Sequence, residues 1–466
     1  MSRPPKDIYQ RAGLDVKPKA LTDFGNAERF AERHREDVRF CYEWRKWLAW
    51  DGRRWNVDLS GAVERKAKAT VRTIYAETES EGNEDRRRAI AKHAIRSEAH
   101  TRLNAMVGLS RSESGIPIQA KHLDKDPWLL NVENGTIDLR SGELREHSRA
   151  DLITKLAPVE YDPDAEAPTW EAFLREVLPS EDLRGFLRRA IGYTLTGDTS
   201  ERAIFLLHGT RGKNGKSTFL EAIRDILGDH AMKTSSETLL AKPAGGIPND
   251  IARLKGARFV AASETEANRR LAEAMVKEIT GRDTISARFL YGEHFDFRPE
   301  FKVWLATNHK PEVKGTDPAI WDRIRLVPFE VRIPEERQDK RMPEKLREEL
   351  PGILAWAVEG CREWQRNGLG EPQEVKAATE SYRKEQDVLG KFIEDRCVVG
   401  STAITKATPL YQAYRQWCDK TGETAVRQVA FGQGLAERGF ESGKNPVRDN
   451  RVNIWRGIGL LSGQEA

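Results

Sequence analysis

Cysteine is scarce in this chain: four in 466 residues, Cys41, Cys361, Cys397 and Cys418, far apart and without a CxxC pair. That spacing excludes a zinc ribbon or a disulfide framework and points to reduced, structural thiols. No window approaches the roughly 20 apolar residues of a membrane span, so no membrane partner is expected. The N-terminal stretch MSRPPKDIYQRAGLD lacks the apolar centre of a secretory signal, and residence in the cytoplasm is expected. An excess of one charge is lacking too. Lys and Arg number 77 against 73 Asp and Glu, a net charge of +4, so any hold on nucleic acid must come from local basic surfaces. The clustered carboxylates of a metal-dependent polymerase are not found either. The nearest pair, Asp162-Pro163-Asp164, sits in a Pro-containing connector and reads as a turn.

What is present is concentrated in the middle of the chain. Residues His208 to Phe219 read HGTRGKNGKSTF, preceded by the apolar run Ala203 to Leu207 and followed by helical spacing to Leu227. Strand, Gly-rich loop and helix in that order suit a loop wrapped around a polyphosphate. Gly209, Gly212, Asn214 and Gly215 shape the loop, and backbone N–H groups at the helix start would cradle the phosphates. Lys216 would reach the β- and γ-phosphates, and the Ser217 hydroxyl would ligate Mg²⁺, with Thr218 in reserve. The expected ligands are therefore ATP and Mg²⁺. Five residues lie between Gly209 and Gly215, rather than the usual four.

Three further segments read as core strands, each ending in suggestive chemistry. Arg258 to Ser263 leads into Glu264-Thr265-Glu266, carboxylates at the edge of an open α/β sheet where ligands bind. Glu264 is assigned to Mg²⁺ and the attacking water, with Glu266 second. Phe301 to Thr307 ends in Asn308, an amide able to bond both γ-phosphate and water. Ile324 to Phe329 is preceded by Trp321-Asp322-Arg323, which makes Arg323 the candidate arginine finger. Arg325 is either a second such group or a structural ion-pair partner. Between these strands, Ile285 to Tyr291, a Gly292-Glu293-His294 turn and Phe295 to Arg298 read as a β-hairpin. Its Arg288, Tyr291 and His294 could contact phosphates and stack on bases.

In this order, the phosphate loop, SETE, the hairpin, ATNHKP and WDRIRLVPF look like a superfamily 3 helicase of the phage and plasmid primase-helicase type, related to the poxvirus primase-helicase. TDFGNAERFAERH (Thr22 to His34), WLAWDGRRW (Trp47 to Trp55) and LLNVENGTIDLRSGEL (Leu129 to Leu144) are similar to the accessory domain before such helicases. The resemblance implies an AAA+ type core, hexameric rings with ATP sites between subunits, and translocation on single-stranded DNA, typically 3′ to 5′. Lys216, Ser217, Glu264, Asn308 and Arg323 take over the matching roles. Relatives often carry a primase domain upstream, whereas the roughly 200 residues before this ATPase match the accessory domain, so a separate primase partner is expected.

The expected fold is α/β: an AAA+ type P-loop core, a mixed α/β accessory domain and a C-terminal winged helix. The expected boundaries are 1–165 for the accessory domain, 166–200 for a helical collar and 201–366 for the ATPase. A helical linker at 371–398 and a winged helix at 399–466 follow. The linker begins at Arg366-Asn367-Gly368-Leu369-Gly370-Glu371-Pro372, which stops a helix. Beyond it, helices from Leu410 to Thr421 and Val426 to Arg438 precede a basic connector and a strand pair. Arg427, Gln428 and Gln433 would face a DNA groove, with Lys444, Arg448 and Arg451 on phosphates, unless the module contacts protein instead. Tryptophans 44, 47, 50 and 55 read as core positions of a helix and following strand. Asp85-Arg86-Arg87-Arg88 reads as a solvated helix face.

Overall fold

The computed structural model describes residues 19–241, 249–263, 269–288, 293–313, 317–444 and 452–461. Contacts divide the chain into two units, Met1–Asp162 and Pro163–Ala466.

In the first unit the aromatic-rich segment folds as strands. Val38–Cys41 and Lys46–Trp50 form an antiparallel hairpin, extended by Trp55–Val57 on one side and Pro117–Ile118 on the other. The helix expected at Trp44 to Trp50 is thus a turn and a strand, because cross-strand pairing on this sheet overrides the helical spacing of the tryptophans. Trp55 is fully buried, Trp47 packs edge-on against Phe40, and Trp50 against Trp55, so these three are core as expected. Trp44 instead lies exposed beside the turn residue Arg45, whose φ is 52°. Helices Asp23–His34, Ala62–Ser80, Glu84–Ser97 and His100–Ser110 cover this unit, and a meander of Leu129–Val132, Gly135–Asp138 and Glu143–Arg145 closes it. Asp85 to Arg88 lie exposed on Glu84–Ser97, a solvated face as read.

The second unit is built on a five-stranded parallel sheet. Its spatial order is Ile324–Pro328, Ile204–His208, Lys302–Thr307, Phe259–Ser263 and Ala231–Ser235. Near-continuous apolar strands of this kind require cover on both faces. Successive side chains alternate between those faces. Phe205 stacks on Trp304 at 4.2 Å on one side, with Phe219 and Trp170 beyond. Ile204, Leu206, Val260, Val303, Leu305 and Leu326 join the core on the other. The polar edge strand Ala231–Ser235, half-exposed, is an addition to the four strands expected from sequence.

At the amino edge of this sheet, Lys302 is 1% exposed and its ammonium donates to the carbonyls of Thr196, Asp198 (3.1 Å) and Glu300 (3.2 Å). Arg258 donates to the Leu195 carbonyl at 2.7 Å. Two buried cations therefore meet carbonyls at the end of helix Glu181–Leu195, as the helix dipole favours. Burial holds the Lys302 ammonium well below its ordinary pKa.

Helices Glu181–Leu195 and Leu350–Asn367 approach through glycines. A Cβ on Gly192 would overlap the backbone of Gly360 and Cys361, and one on Gly360 would overlap the Arg188 carbonyl. Gly192→Ala is therefore expected to push the helices apart and lower unfolding free energy by about 1–3 kcal/mol, the usual range for overpacking. Urea melts of the two proteins would show it as a fall in midpoint at unchanged slope.

Leu350–Asn367 ends at Gly368, whose φ of 64° suits the glycine, as the linker reading expects. The following helix Gln373–Gln386 packs its buried Tyr382 into the core beneath the sheet. Beyond it, Val388–Arg396, Ala407–Thr421 and Gln428–Glu437 surround a three-stranded antiparallel sheet of Cys397–Lys406, Asn453–Leu460 and Glu441–Lys444. Strand Cys397–Lys406 has no counterpart in the sequence reading.

Candidate functional site

The parallel register places the functional residues side by side. Thr307 pairs with His208, so Asn308 and Gly209 leave adjacent strands at the same carboxyl edge. Ser263 pairs with Ala306 on the next strand, and Glu264 and Glu266, which follow it, lie outside the described residues. Ligands bind at this edge in open α/β sheets.

The loop's glycines are required by geometry. Gly215 has φ 83°, and a Cβ there would press on Val177 and Phe173 of helix Pro168–Val177. A Cβ on Gly209 would overlap the Phe329 carbonyl and the Asn214 amide. Asn214, expected on the nucleotide, turns its amide inward and donates to the Phe329 carbonyl at 3.0 Å. The Ile333 N–H donates to the Lys213 carbonyl, also at 3.0 Å. These two bonds brace the back of the loop against the chain that follows the last strand. Gly212 is exposed at the loop's turn.

Helix Lys216–Leu227 starts without a side-chain cap, so its first N–H groups face the loop as an anion-binding end. Lys216 is 6% exposed, and its ammonium donates to the Gly209 carbonyl at 3.0 Å and to Asn308 Oδ1 at 2.9 Å. Neither acceptor carries charge, and burial lowers the Lys216 pKa to about 8. A buried ammonium whose partners among the described residues are neutral is a site that an anion would complete. Ser217 is exposed and Thr218 half-buried on the helix's first turn, where a hydroxyl can reach a cation held by the phosphates. His208 is lowered to about 4, first by burial and then by the Lys310 and Lys216 charges, and so stays neutral beside the loop.

Arg323 and Arg325 lie elsewhere. They stand at the amino end of strand Ile324–Pro328, opposite the loop's edge. Arg323 donates to Thr280 Oγ1 at 3.1 Å and to the Ala319 carbonyl. Arg325 pairs with Glu371 and donates to the Asp322 carbonyl at 2.7 Å, which matches the structural ion-pair alternative.

The expected nucleic-acid residues are spread over two places. Ile285–Arg288 and His294–Phe297 form the anticipated antiparallel hairpin, in which Arg288 pairs across from His294. Tyr291 lies outside the described residues. In the C-terminal module Arg427 is the N-cap residue of helix Gln428–Glu437, and it, Gln428, Gln433 and Lys444 are exposed. Arg448 and Arg451 lie outside the described residues. Sequence reasoning passed over His208, Lys310 and Glu385. Only the position of His208 and Lys310 beside named motifs could have flagged them.

Three family models match segments of this chain. Residues 27–179 match the family described as D5 N terminal like, 207–323 match a family of unknown function (DUF5906), and 384–455 match Poxvirus D5 protein-like. A protein named "Putative helicase" from Acanthamoeba polyphaga mimivirus is 30% identical over 322 residues, covering 64% of this chain and 33% of that protein. One of the same description from Frog virus 3 (isolate Goorha) is 30% identical over 380 residues, covering 63% and 39%. A protein of African swine fever virus (isolate Tick/Malawi/Lil 20-1/1983), named as a primase of the same standing, is 25% identical over 340 residues, covering 66% and 35%. The chain thus spans little more than a third of the length of these curated relatives. Among solved structures, the apo NrS-1 C terminal region aligns over 91% of this chain and 96% of that one, at 9% identity and a TM-score of 0.48. The chain is thus similar to D5-type proteins in segments near both ends, and to viral proteins named as helicases and primases.

Proposed function

We propose that this chain is an ATP-driven DNA helicase of superfamily 3 type, working in the DNA replication of a phage, prophage, mobile element or virus. In this reading it forms a homohexameric ring on single-stranded DNA, moves 3′ to 5′, and works with a separate primase. The observation that carries the reading is the buried Lys216 ammonium, held between Gly209 and Asn308 at the carboxyl edge of a parallel sheet. Each of these residues has a task in phosphoryl transfer to water. The helix N-terminus and Lys216 hold and neutralise phosphate oxygens, and Asn308 orients the water. Ser217 and Glu264 would hold Mg²⁺, which bridges phosphate oxygens and offsets their charge when bound. Arg323 would serve the site of a neighbouring subunit. Its position opposite the loop supports action in trans.

The domain scheme proposed from sequence is kept, with one refinement that the packing supports. Gln373–Gln386 belongs with the ATPase rather than with a free linker, because Tyr382 is buried in the core of the sheet. The helices and antiparallel sheet after Asp387 support a winged-helix reading of the last module. Among the described residues no helix is long and apolar enough to cross a membrane.

The test is ATP-dependent release of a labelled strand from duplexes with a 3′ or a 5′ single-stranded tail, using Lys216→Ala as control. Release from the 3′-tailed duplex alone is the expected result. ATP hydrolysis and DNA binding without release from either substrate would replace the helicase by an origin-binding initiator that uses ATP for assembly.

A further inference from the structure

The residues after Asn308 are gripped, one after another, by a single helix. Lys310 Nζ bonds both carboxylate oxygens of Glu385, at 2.8 and 2.9 Å, and lies 5.6 Å from the centre of the Tyr382 ring. The buried Tyr382 hydroxyl donates to the Pro311 carbonyl, and the Val313 N–H donates to Gln386 Oε1 at 3.0 Å. All three partners sit on the last turns of Gln373–Gln386. The same helix is fixed to the sheet, where Leu326 N–H donates to Thr379 Oγ1 at 3.1 Å.

At its far end the helix meets the C-terminal module with almost no slack. A single residue, Asp387, separates it from Val388–Arg396, whose Leu389, Phe392 and Ile393 are part of that module's core. Asp387 accepts from the Gly390 N–H at 2.8 Å, capping the second helix, and pairs with Arg438 at the end of Gln428–Glu437. Leu389 packs where a Cβ on Gly434 would stand, so these two helices are in close contact. Movement of one helix is therefore passed to the other through packed side chains and an ion pair.

At its near end the sensor loop, Asn308 to Val313, is tied to the phosphate loop, because Asn308 Oδ1 accepts a hydrogen bond from Lys216. A phosphate entering the loop competes for that ammonium and removes the donor from Asn308. The loop from Asn308 to Val313 then has one bond fewer on the phosphate side and keeps its bonds to the helix, and those of Glu312 to Arg269 and Leu271.

We propose that Lys310, Tyr382 and Glu385 are positioning residues that bind the sensor loop to Gln373–Gln386, making this helix a lever that reports occupancy of the phosphate site to the C-terminal module. The inference rests on the nucleotide-site reading above. Coupling of this kind is reciprocal, so whatever occupies the exposed face of Gln428–Glu437 shifts nucleotide affinity by the same factor. The Lys310–Glu385 pair is partly solvent-exposed, so removing it should alter coupling far more than fold stability.

Hydrogen exchange on the full chain, with and without a non-hydrolysable ATP analogue and Mg²⁺, tests the lever. In wild type the analogue should change exchange in Gln373–Gln386 and also in Gln428–Glu437. Glu385→Gln should still bind the analogue but lose most of the change in Gln428–Glu437. Its kcat should fall about three- to tenfold, within the reach of substitutions along a coupled network, with KM nearly unchanged. The charge-swapped Lys310→Glu/Glu385→Lys chain should recover both, which a residue needed only for folding would not do. Analogue binding to wild type with no change in Gln428–Glu437, or a full change in Glu385→Gln, would overturn the lever alone. Failure of wild type to bind the analogue would overturn the nucleotide site and the lever with it.

Discussion

Lys216→Ala is expected to lower ATP turnover by at least about 10²–10³-fold, the effect of removing one preorganised group from a developing phosphate charge. The ground for so large an effect is what Lys216 does without ligand. Its ammonium is 6% exposed and, among the described residues, bonded to a carbonyl and an amide oxygen, so the protein holds a desolvated positive charge where phosphate oxygens would arrive. A neutral alanine leaves that charge unsupplied, while the loop stays braced by the Asn214 to Phe329 hydrogen bond. The same arrangement gives the pH dependence its sign. Burial lowers the Lys216 pKa to about 8, whereas a bound phosphate favours the charged form. Below that pH the free site is already protonated and ATP affinity should be flat. Above it, binding must take up a proton, and the ATP dissociation constant should rise toward about tenfold per pH unit. Titrating a fluorescent ATP analogue between pH 7 and 9.5 checks this. A dissociation constant that stays flat to pH 9.5 would show that Lys216 is not the group that meets the phosphate.

Much of this site was legible because the signals are local. A run of apolar residues ending in Gly-x-x-Gly-x-Asn-Gly-Lys-Ser can be read without knowing what packs on it, and strand Ile204–His208 followed by helix Lys216–Leu227 stands where that run predicts. The strands ending before Glu264 and Asn308 were also visible, since buried parallel strands are apolar throughout. Strand Ala231–Ser235 was not visible, because an edge strand with one partner carries polar residues such as Lys233 and Thr234. Gln373–Gln386 looked like a linker for a related reason. Only Val375 and Tyr382 of its fourteen residues are buried, and its mostly polar sequence reads as a helix but hides the grip on the sensor loop. The tryptophans between 44 and 55 misled through a three-residue spacing that suits a helix. The β-turn after Cys41 sets their true pairing, and Phe40 against Trp47 is a contact no spacing rule reveals. The bond that holds Asn214 was hidden for the same cause, as its partner Phe329 is 115 residues away.

Arg323→Ala should lower ATP turnover by about 10³-fold or more, as loss of an arginine finger does, although Arg323 cannot serve the phosphate loop of its own chain. Strands Ile324–Pro328 and Ile204–His208 run parallel and in register, so Arg323 and Gly209 stand at opposite ends of a five-residue strand. At about 3.3 Å per residue the six steps between them are roughly 20 Å. Within its own chain the guanidinium is held by Thr280 and Ala319, so a catalytic role requires the site of a neighbour. A ring with heterologous contacts supplies that arrangement, since each subunit offers one edge to the next. Mixing then gives a clean result. Arg323→Ala chains keep Glu264, and Glu264→Ala chains keep Arg323. A site is therefore whole only where the first kind receives the finger of the second. In a random equal mixture this holds for about one interface in four, so two inactive proteins should regain up to about a quarter of wild-type turnover through heterologous interfaces. Arg323→Lys should recover far less alone, because an ammonium lacks the planar fork that spans two phosphate oxygens. Equal inactivity at every mixing ratio, with mixed oligomers demonstrated by pull-down of one tagged chain by the other, would remove Arg323 from the site and leave its bond to Thr280 as its whole purpose.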